Sequence, residues 1–174
     1  DDHSQFGGAT TFGANANYSP NGGATNVRAS YGEGFKAPSL YQLYDTYSRN
    51  PTLRPERSKS YEFGIDQSLA DGRALLSLTA FLRNTTDQIN YDNATSKYGN
   101  IDRTRAKGVE ATLALRPVDA LNVTASYSYI DARDRSGRPG FDGKRLPRRA
   151  EQAISLSADY DWSFGLSTGA TLTL

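Results

Sequence analysis

The chain has 174 residues, enough for one domain or part of one, and a formal net charge of +1, which provides no global field to attract nucleic acid or acidic substrates. Mean hydropathy is −0.63 and no run of about 18 apolar residues exists, which excludes a transmembrane helix. It does not exclude a transmembrane barrel, whose hydrophobicity sits in every second residue.

Cysteine and methionine are absent, so disulfides, thiolate metal sites and cysteine nucleophiles are ruled out. The 16 glycines, 11 tyrosines and single tryptophan suit β-structure with turns and amphipathic interfaces. Taken in chain order, period two dominates and no helical stripe emerges. Phe12, Ala14, Ala16 and Tyr18 alternate with polar or small residues, as do Val27, Ala29 and Tyr31. After the proline-punctuated stretch Asn50-Pro51-Thr52-Leu53-Arg54-Pro55, strict alternation begins, with Tyr61, Phe63 and Ile65 on one parity and Glu62, Gly64 and Asp66 on the other. Leu76, Leu78, Ala80 and Leu82 form the next apolar set, followed by Val109 to Leu115, Leu121 to Tyr129, Ile154 to Trp162 and Phe164 to Leu172. The pattern predicts roughly eight strands, most near the 9–11 residues that a tilted membrane strand needs.

Connections alternate in length. Short turns are expected over 19–23, 70–72, 117–120 and 161–163, and long polar loops over 36–57, 84–98 and 131–146. Short turns on one rim and long loops on the other fit an outer-membrane barrel better than a soluble sandwich, although alternation alone fits both. Tyr160, Trp162 and Phe164 straddle a short turn, and Tyr127 and Tyr129 lie towards a long loop, so these five are expected to form aromatic girdles at the two interfaces. Ordinary cross-strand aromatic pairs are the plainer account of the same residues.

Glu62, Asp66, Arg83, Glu110 and Arg116 fall on the polar parity and are expected in the lumen, paired within a satisfied network. Tyr44, Tyr47, Arg49, Tyr91 and Tyr98 lie in the long loops and are candidate ligand contacts, because aromatic and arginine side chains offer large contact area. Solvated loop positions are the alternative for these five. Residues 131–143, DARDRSGRPGFDG, hold three aspartates, but their spacing does not match an EF-hand and the interleaved arginines oppose a cation, so no metal site is expected. Arg148-Arg149 is expected near the outer leaflet, in reach of anionic headgroups or simply snorkelling. No nucleophile motif, Walker loop or dinucleotide fingerprint occurs, and neither enzymatic activity nor a cofactor is expected.

Several stretches resemble segments of TonB-dependent outer-membrane receptors. Gly34-Phe35-Lys36-Ala37-Pro38-Ser39-Leu40 with Leu43-Tyr44 is similar to their "GFKAPSLxxLY" segment. Asn50-Pro51-Thr52-Leu53-Arg54-Pro55-Glu56-Arg57-Ser58 followed by Glu62 resembles "NPxLxPExSxxxE", and Tyr98-Gly99-Asn100 with Gly108-Val109-Glu110 resembles "YxN…GxE". Tyr127-Ser128-Tyr129 with Asp131, and then Leu146-Pro147-Arg148-Arg149, match a further hairpin of that barrel. The motifs keep the family's order across nearly the whole chain, with a flavour nearest the cobalamin and siderophore receptors.

The resemblance implies an all-β fold: an antiparallel transmembrane β-barrel segment, about eight strands of a larger 22-stranded barrel. It also implies a place in the bacterial outer membrane. The implied partners are outer-membrane lipid, the plug domain and remaining barrel strands of the same receptor, TonB acting through that plug, and a small-molecule ligand such as a metal chelate. The implied function is active uptake of a scarce nutrient such as cobalamin or a ferric siderophore. Residues 1–174 contain no plug-like stretch, and Leu172-Thr173-Leu174 lacks the family's terminal aromatic. They are therefore read as a partial barrel domain, an internal or C-terminally trimmed slice. The rival readings are a self-contained eight-stranded barrel with a structural or adhesive role, and a soluble β-sheet domain.

Overall fold

The computed structural model describes residues 2–3 and 6–174, with side chains from residue 6 onward. Short strands β1 (Asp2–His3) and β2 (Gly7–Gly8) pair with each other as a separate ribbon. The rest is one eight-stranded antiparallel sheet built from β3 (Gly13–Tyr18), β4 (Thr25–Lys36), β5 (Glu56–Leu69), β6 (Ala74–Asp92), β7 (Lys97–Val118), β8 (Leu121–Asp134), β9 (Gln152–Asp161) and β10 (Ser167–Thr173). Every strand in it pairs only with its neighbours in sequence, so the sheet is a simple meander. Among the described residues β3 and β10 stand at its two edges and do not pair with each other. The eight strands therefore form an open wall rather than a closed eight-stranded barrel.

The register shows why the alternation matters. Val27, Ile65, Leu78, Ala111, Tyr127 and Ile154 lie in one cross-strand row. The next row towards the long loops holds Ala29, Phe63, Ala80, Val109 and Tyr129, and the one beyond it Tyr31, Tyr61 and Leu82, where the apolar run ends at Lys107 and Asp131. Asn26, Asp66, Ser77, Thr112, Ser126 and Ser155 form a row on the opposite face. One face is thus apolar through its two inner rows and over β4–β6 of the third, and the other is polar. From Leu121, beside Tyr160, to Asp131, in the row of Tyr61, β8 advances ten residues. At about 3.4 Å per residue and about 45° of tilt this spans roughly 24 Å, the height of a barrel's lipid-facing band.

Strand lengths differ from expectation. The polar stretch 84–98, expected as a long loop, is mostly β-structure: β6 runs 19 residues to Asp92 and β7 runs 22 residues from Lys97, with a tight turn between them. Above the membrane a strand needs no apolar face, so its composition comes to look like a loop's. The expected loop 36–57 contains a short helix, α1 (Leu40–Tyr44). Its cause is local: the Ser39 hydroxyl accepts from the Gln42 N–H at 3.3 Å, and the Gln42 side chain accepts from the Ser39 N–H at 2.9 Å, a capping box.

A glycine decides the packing at one point of the wall. A Cβ at Gly108 would lie 2.1 Å from the Tyr129 carbonyl oxygen and 2.8 Å from the Phe81 ring. Phe81 sits opposite Gly108 on the polar face, so the glycine provides the space its ring occupies.

Candidate functional site

The most buried part of the molecule lies in the loop assembly rather than in the wall. Leu43 of α1, Leu53 and Ile89 of β6 are buried together, with Phe6 and Tyr98 packed against them. Residues 37–55 thereby fold onto the extended β6–β7 hairpin. Two of the family-like motifs meet here. Asn50 donates from its amide nitrogen to the Tyr98 carbonyl at 2.9 Å, while its side-chain oxygen accepts from the Thr52 N–H and hydroxyl. Asn100 accepts from the Arg54 N–H at 2.9 Å and donates to the carbonyls of Arg54 and Asp87. The Arg54 guanidinium then bridges Asp87 at 2.6 Å and Asp102 at 3.1 Å. The charged, proline-punctuated stretch is thus a clasp. It fastens a loop to a hairpin before the chain enters the wall.

The five loop candidates separate. Tyr91 and Tyr98 are opposed across the hairpin and touch edge to face, with ring centroids 5.3 Å apart, and Tyr41 meets Tyr98 at 6.3 Å. These rings belong to the loop's own packing. Tyr44, Tyr47 and Arg49 are exposed, Tyr47 more so than Tyr44, on the outer surface of the same loop. Asp45 organises that turn. Its carboxylate accepts from the N–H of Ser48, the Ser48 hydroxyl and the N–H of Tyr47, and the backbone bond from Ser48 foremost holds it below the ordinary carboxylate pKa.

On the polar face the structure brings together Asp66 and Glu62 of β5, Arg83 of β6 and Glu110 of β7. Asp66 is paired with Arg28 at 3.2 Å and also accepts from Asn26. Arg28 reaches on to the Thr79 hydroxyl at 2.6 Å. Sequence reasoning missed Arg28; its parity with Asn26 on β4 was the available signal. Arg83 donates to Ser60, and Ser30 donates to Glu62 at 3.4 Å. Arg116 sits apart, near the short-turn rim, donating to the Asp119 carbonyl beside a register shift in the β7–β8 pairing.

Above this network the polar face holds a recess of about 340 Å³ lined by Lys36, Glu56, Arg83, Thr85, Thr104 and Arg149. Lys36 pairs with Glu56 at 2.8 Å, whereas Arg83 and Arg149 form no ion pair among the described residues. The recess thus presents uncompensated positive charge below the folded loop. Arg149, expected near the lipid headgroups, lines this recess instead, and its neighbour Arg148 donates to Asn93 of the hairpin turn. The described residues contain no cluster of acidic and histidine side chains that would hold a metal ion.

At the short-turn rim Tyr160, Trp162 and Phe164 stack successively, with centroids 4.8 and 6.0 Å apart, and the Trp162 indole donates to Thr168 at 3.1 Å. Tyr127 and Tyr129 occupy the apolar face but lie one below the other inside the band. On the apolar face of the wall, below the β6–β7 extension, the last aromatic pair towards the long loops is Tyr31 with Tyr61, 5.2 Å apart.

The chain is similar to several solved receptors. Against the ferric enterobactin receptor PfeA of Pseudomonas aeruginosa the TM-score is 0.76 at 20% identity, covering 97% of this chain and 28% of that one. The siderophore receptor PirA of Pseudomonas aeruginosa gives 0.72 at 20% identity, covering 99% and 34%. The copper transporter OprC gives 0.70 at 17%, covering 92% and 25%. At these identities the likeness establishes the fold, and the chain spans between a quarter and about a third of each protein's length. The family model "TonB dependent receptor-like, beta-barrel" matches residues 1–173. An amphipathic antiparallel wall, loops folded over one rim and a match across the whole span together make this chain a member of the TonB-dependent receptor-like β-barrel family, located in the bacterial outer membrane.

Proposed function

We propose that this chain forms wall and extracellular loops of a receptor that imports a scarce nutrient as an anionic metal chelate, a ferric siderophore before cobalamin. The observation that carries this reading is the cationic recess beneath the clasped loop, where Arg83 and Arg149 face the lumen without carboxylate partners. Guanidinium groups without carboxylate partners favour carboxylate, catecholate or phosphate oxygens over neutral ligands. Tyr44, Tyr47 and Arg49 on the loop's outer surface supply the first contacts. The polar face below packs against a plug, which transmits force from TonB. The role is transport, and no catalytic step is assigned.

Uptake of radiolabelled iron chelates and of labelled cobalamin, by cells producing the intact protein with and without TonB, tests the proposal. TonB-dependent accumulation of an iron chelate, reduced at least about tenfold by combined R83Q and R149Q, is expected. Cobalamin uptake alone would replace the ligand class, and no TonB-dependent uptake of any chelate would overturn the transport reading.

A further inference from the structure

The chain does not run straight back along β8 after its long loop. Gln152 stands opposite Tyr129, and an isolated bridge sets Arg145 opposite Arg133. Between those two points β8 advances four residues while the returning chain takes seven, so the returning chain carries three residues to spare. Both ends of the excess are pinned. Leu146 donates its N–H to the Ala132 carbonyl at 2.9 Å, and Ile130 donates its N–H to the Glu151 carbonyl at 2.8 Å. The surplus is taken up by a tight turn centred on Pro147 and Arg148. Bulges in a ladder serve to re-aim side chains beside functional sites. Here the residues flanking the turn, Leu146 and Arg149, both line the cationic recess.

The turn is built on an unfavourable residue. Arg148 has a φ of 58°. A proline followed by a positive-φ residue is the pattern of a type II turn, which favours glycine or asparagine after the proline because a larger side chain crowds the backbone there. The other non-glycine residues with positive φ among those described are Asn21, Asp71, Asp87 and Ser96, all short and polar, and Ala70. Arg148 is the one long side chain held in this conformation. Its guanidinium donates to the Asn93 side-chain oxygen at 3.2 Å, across 55 residues of sequence, at the tip of the β6–β7 hairpin. That tip is ordered by its own bonds, since the Asp92 carboxylate accepts from the Ala94 N–H at 2.9 Å and the Thr95 hydroxyl at 3.0 Å. No ion pair among the described residues holds Arg149, so its position follows the backbone that carries it.

We infer that Arg148 is a positioning residue for the recess: by tying the Pro147–Arg148 turn to Asn93, it holds Arg149 at the recess wall. Glycine would form the same turn without strain but would lose the tie, which accounts for a long side chain at a position that disfavours one. The tie also joins the segment after β8 to the hairpin that clasps residues 37–55, so the three long connections around the recess are linked to one another. The inference deepens the proposed anion site. It rests on that reading for what Arg149 binds, and not for where Arg149 is held.

The test uses R148N, because asparagine accepts positive φ and is too short to reach Asn93. Spin labels are placed through R149C and S163C in the intact, detergent-solubilised protein; this chain has no cysteine of its own, and Ser163 lies in the short turn after β9. Double electron–electron resonance then reads the distance distribution between them. With Arg148 in place a narrow distribution is expected. R148N and N93A should each broaden it, and the two together should broaden it no further. The unfolding midpoint of R148N in guanidinium chloride should be unchanged or raised, which separates a lost tie from a lost fold. A distribution in R148N as narrow as in the unmodified protein would overturn the inference, as would a broadening that N93A does not reproduce. Titration with ferric tris(2,3-dihydroxybenzoate), an anionic catecholate probe, supplies the second readout. R148N should weaken its binding about three- to tenfold when Arg149 is present and not at all in R149Q. Equal weakening in R149Q would mean that Arg148 meets the anion itself, and would overturn the positioning role. The distance measurement needs no ligand, so failure of the probe to bind counts against the recess as an anion site and leaves the fate of the tie to the spin labels.

Discussion

Gly108→Ala is the smallest change that tests how tightly the wall is built. A Cβ essentially never approaches another heavy atom closer than 3.0 Å, so the 2.1 Å separation from the Tyr129 carbonyl must open by about 0.9 Å. That oxygen is main chain, fixed in the β7–β8 ladder, and cannot rotate away as a side chain would. The Phe81 ring, 2.8 Å away, must tilt as well. Overpacking of this kind costs about 1–3 kcal/mol, and weakening one ladder hydrogen bond adds about 1 kcal/mol, so G108A should lose about 2–4 kcal/mol. Equilibrium unfolding of the intact protein in guanidinium chloride, followed by the heat-modifiable band shift, measures this. Gly99 on the same strand is the control, because nothing lies within 4 Å of its added Cβ. G108A/F81A should recover only the part of the loss due to the ring. A G108A midpoint indistinguishable from that of G99A would refute the steric account.

At Gly64 the added Cβ meets only the mobile end of Arg28, at 2.5 Å from Cζ, so G64A should cost under about 1 kcal/mol while releasing Arg28 from Asp66 and Thr79, as a crystal structure of the variant would show. Ala70 and Asp71 both adopt positive φ in the turn between β5 and β6, and only the alanine lacks a side chain suited to it; A70N should stabilise the wall by about 1 kcal/mol in the same unfolding assay. Leu43→Ala should cost about 2–5 kcal/mol, felt locally as protease sensitivity of residues 37–55 with little change in global unfolding. The depressed pKa of Asp45 carries a sign: its contribution to loop order is complete above the ordinary carboxylate value near 4 and is lost as pH falls through the lower folded value. Protease sensitivity of that loop should therefore rise below about pH 4 in the unmodified protein, and D45N should already show it at neutral pH.

Much of the wall was legible because lipid imposes a period of two, and Phe63, Ile65, Leu78 and Val109 obey it without exception. The same logic concealed the β6–β7 extension. Asn90, Asp92 and Asn93 have turn-forming composition, and only Ile89, Tyr91 and Tyr98 betray continued alternation there. The helix α1 was readable from Ser39 and Gln42 alone, since Ser-x-x-Gln after a proline is a capping signature, but five residues are too few to show a helical stripe. The clasp was half legible: Asn50 and Asn100 each stood in a recognisable segment, while their meeting depends on a loop folding back across sequence separations of 46 and 48 residues, which no local pattern encodes. The girdle residues show the same limit. Tyr31 and Tyr61 become a boundary pair only through the β4–β5 register.

The nearest-neighbour meander has a consequence for how such a wall is made. Each ladder closes across the connection immediately before it, and five of these, Tyr18 to Thr25, Leu69 to Ala74, Asp92 to Lys97, Val118 to Leu121 and Asp161 to Ser167, are at most about six residues long. The entropy lost in joining each strand is that of closing its own connection, whatever the total length of chain. The wall is therefore assembled like a zip, one hairpin at a time, with no step that must wait for a distant partner until the final seam. Adding or removing a whole hairpin alters the circumference and leaves every other pairing intact, so the unit that can be gained or lost in this architecture is the hairpin, two strands at once.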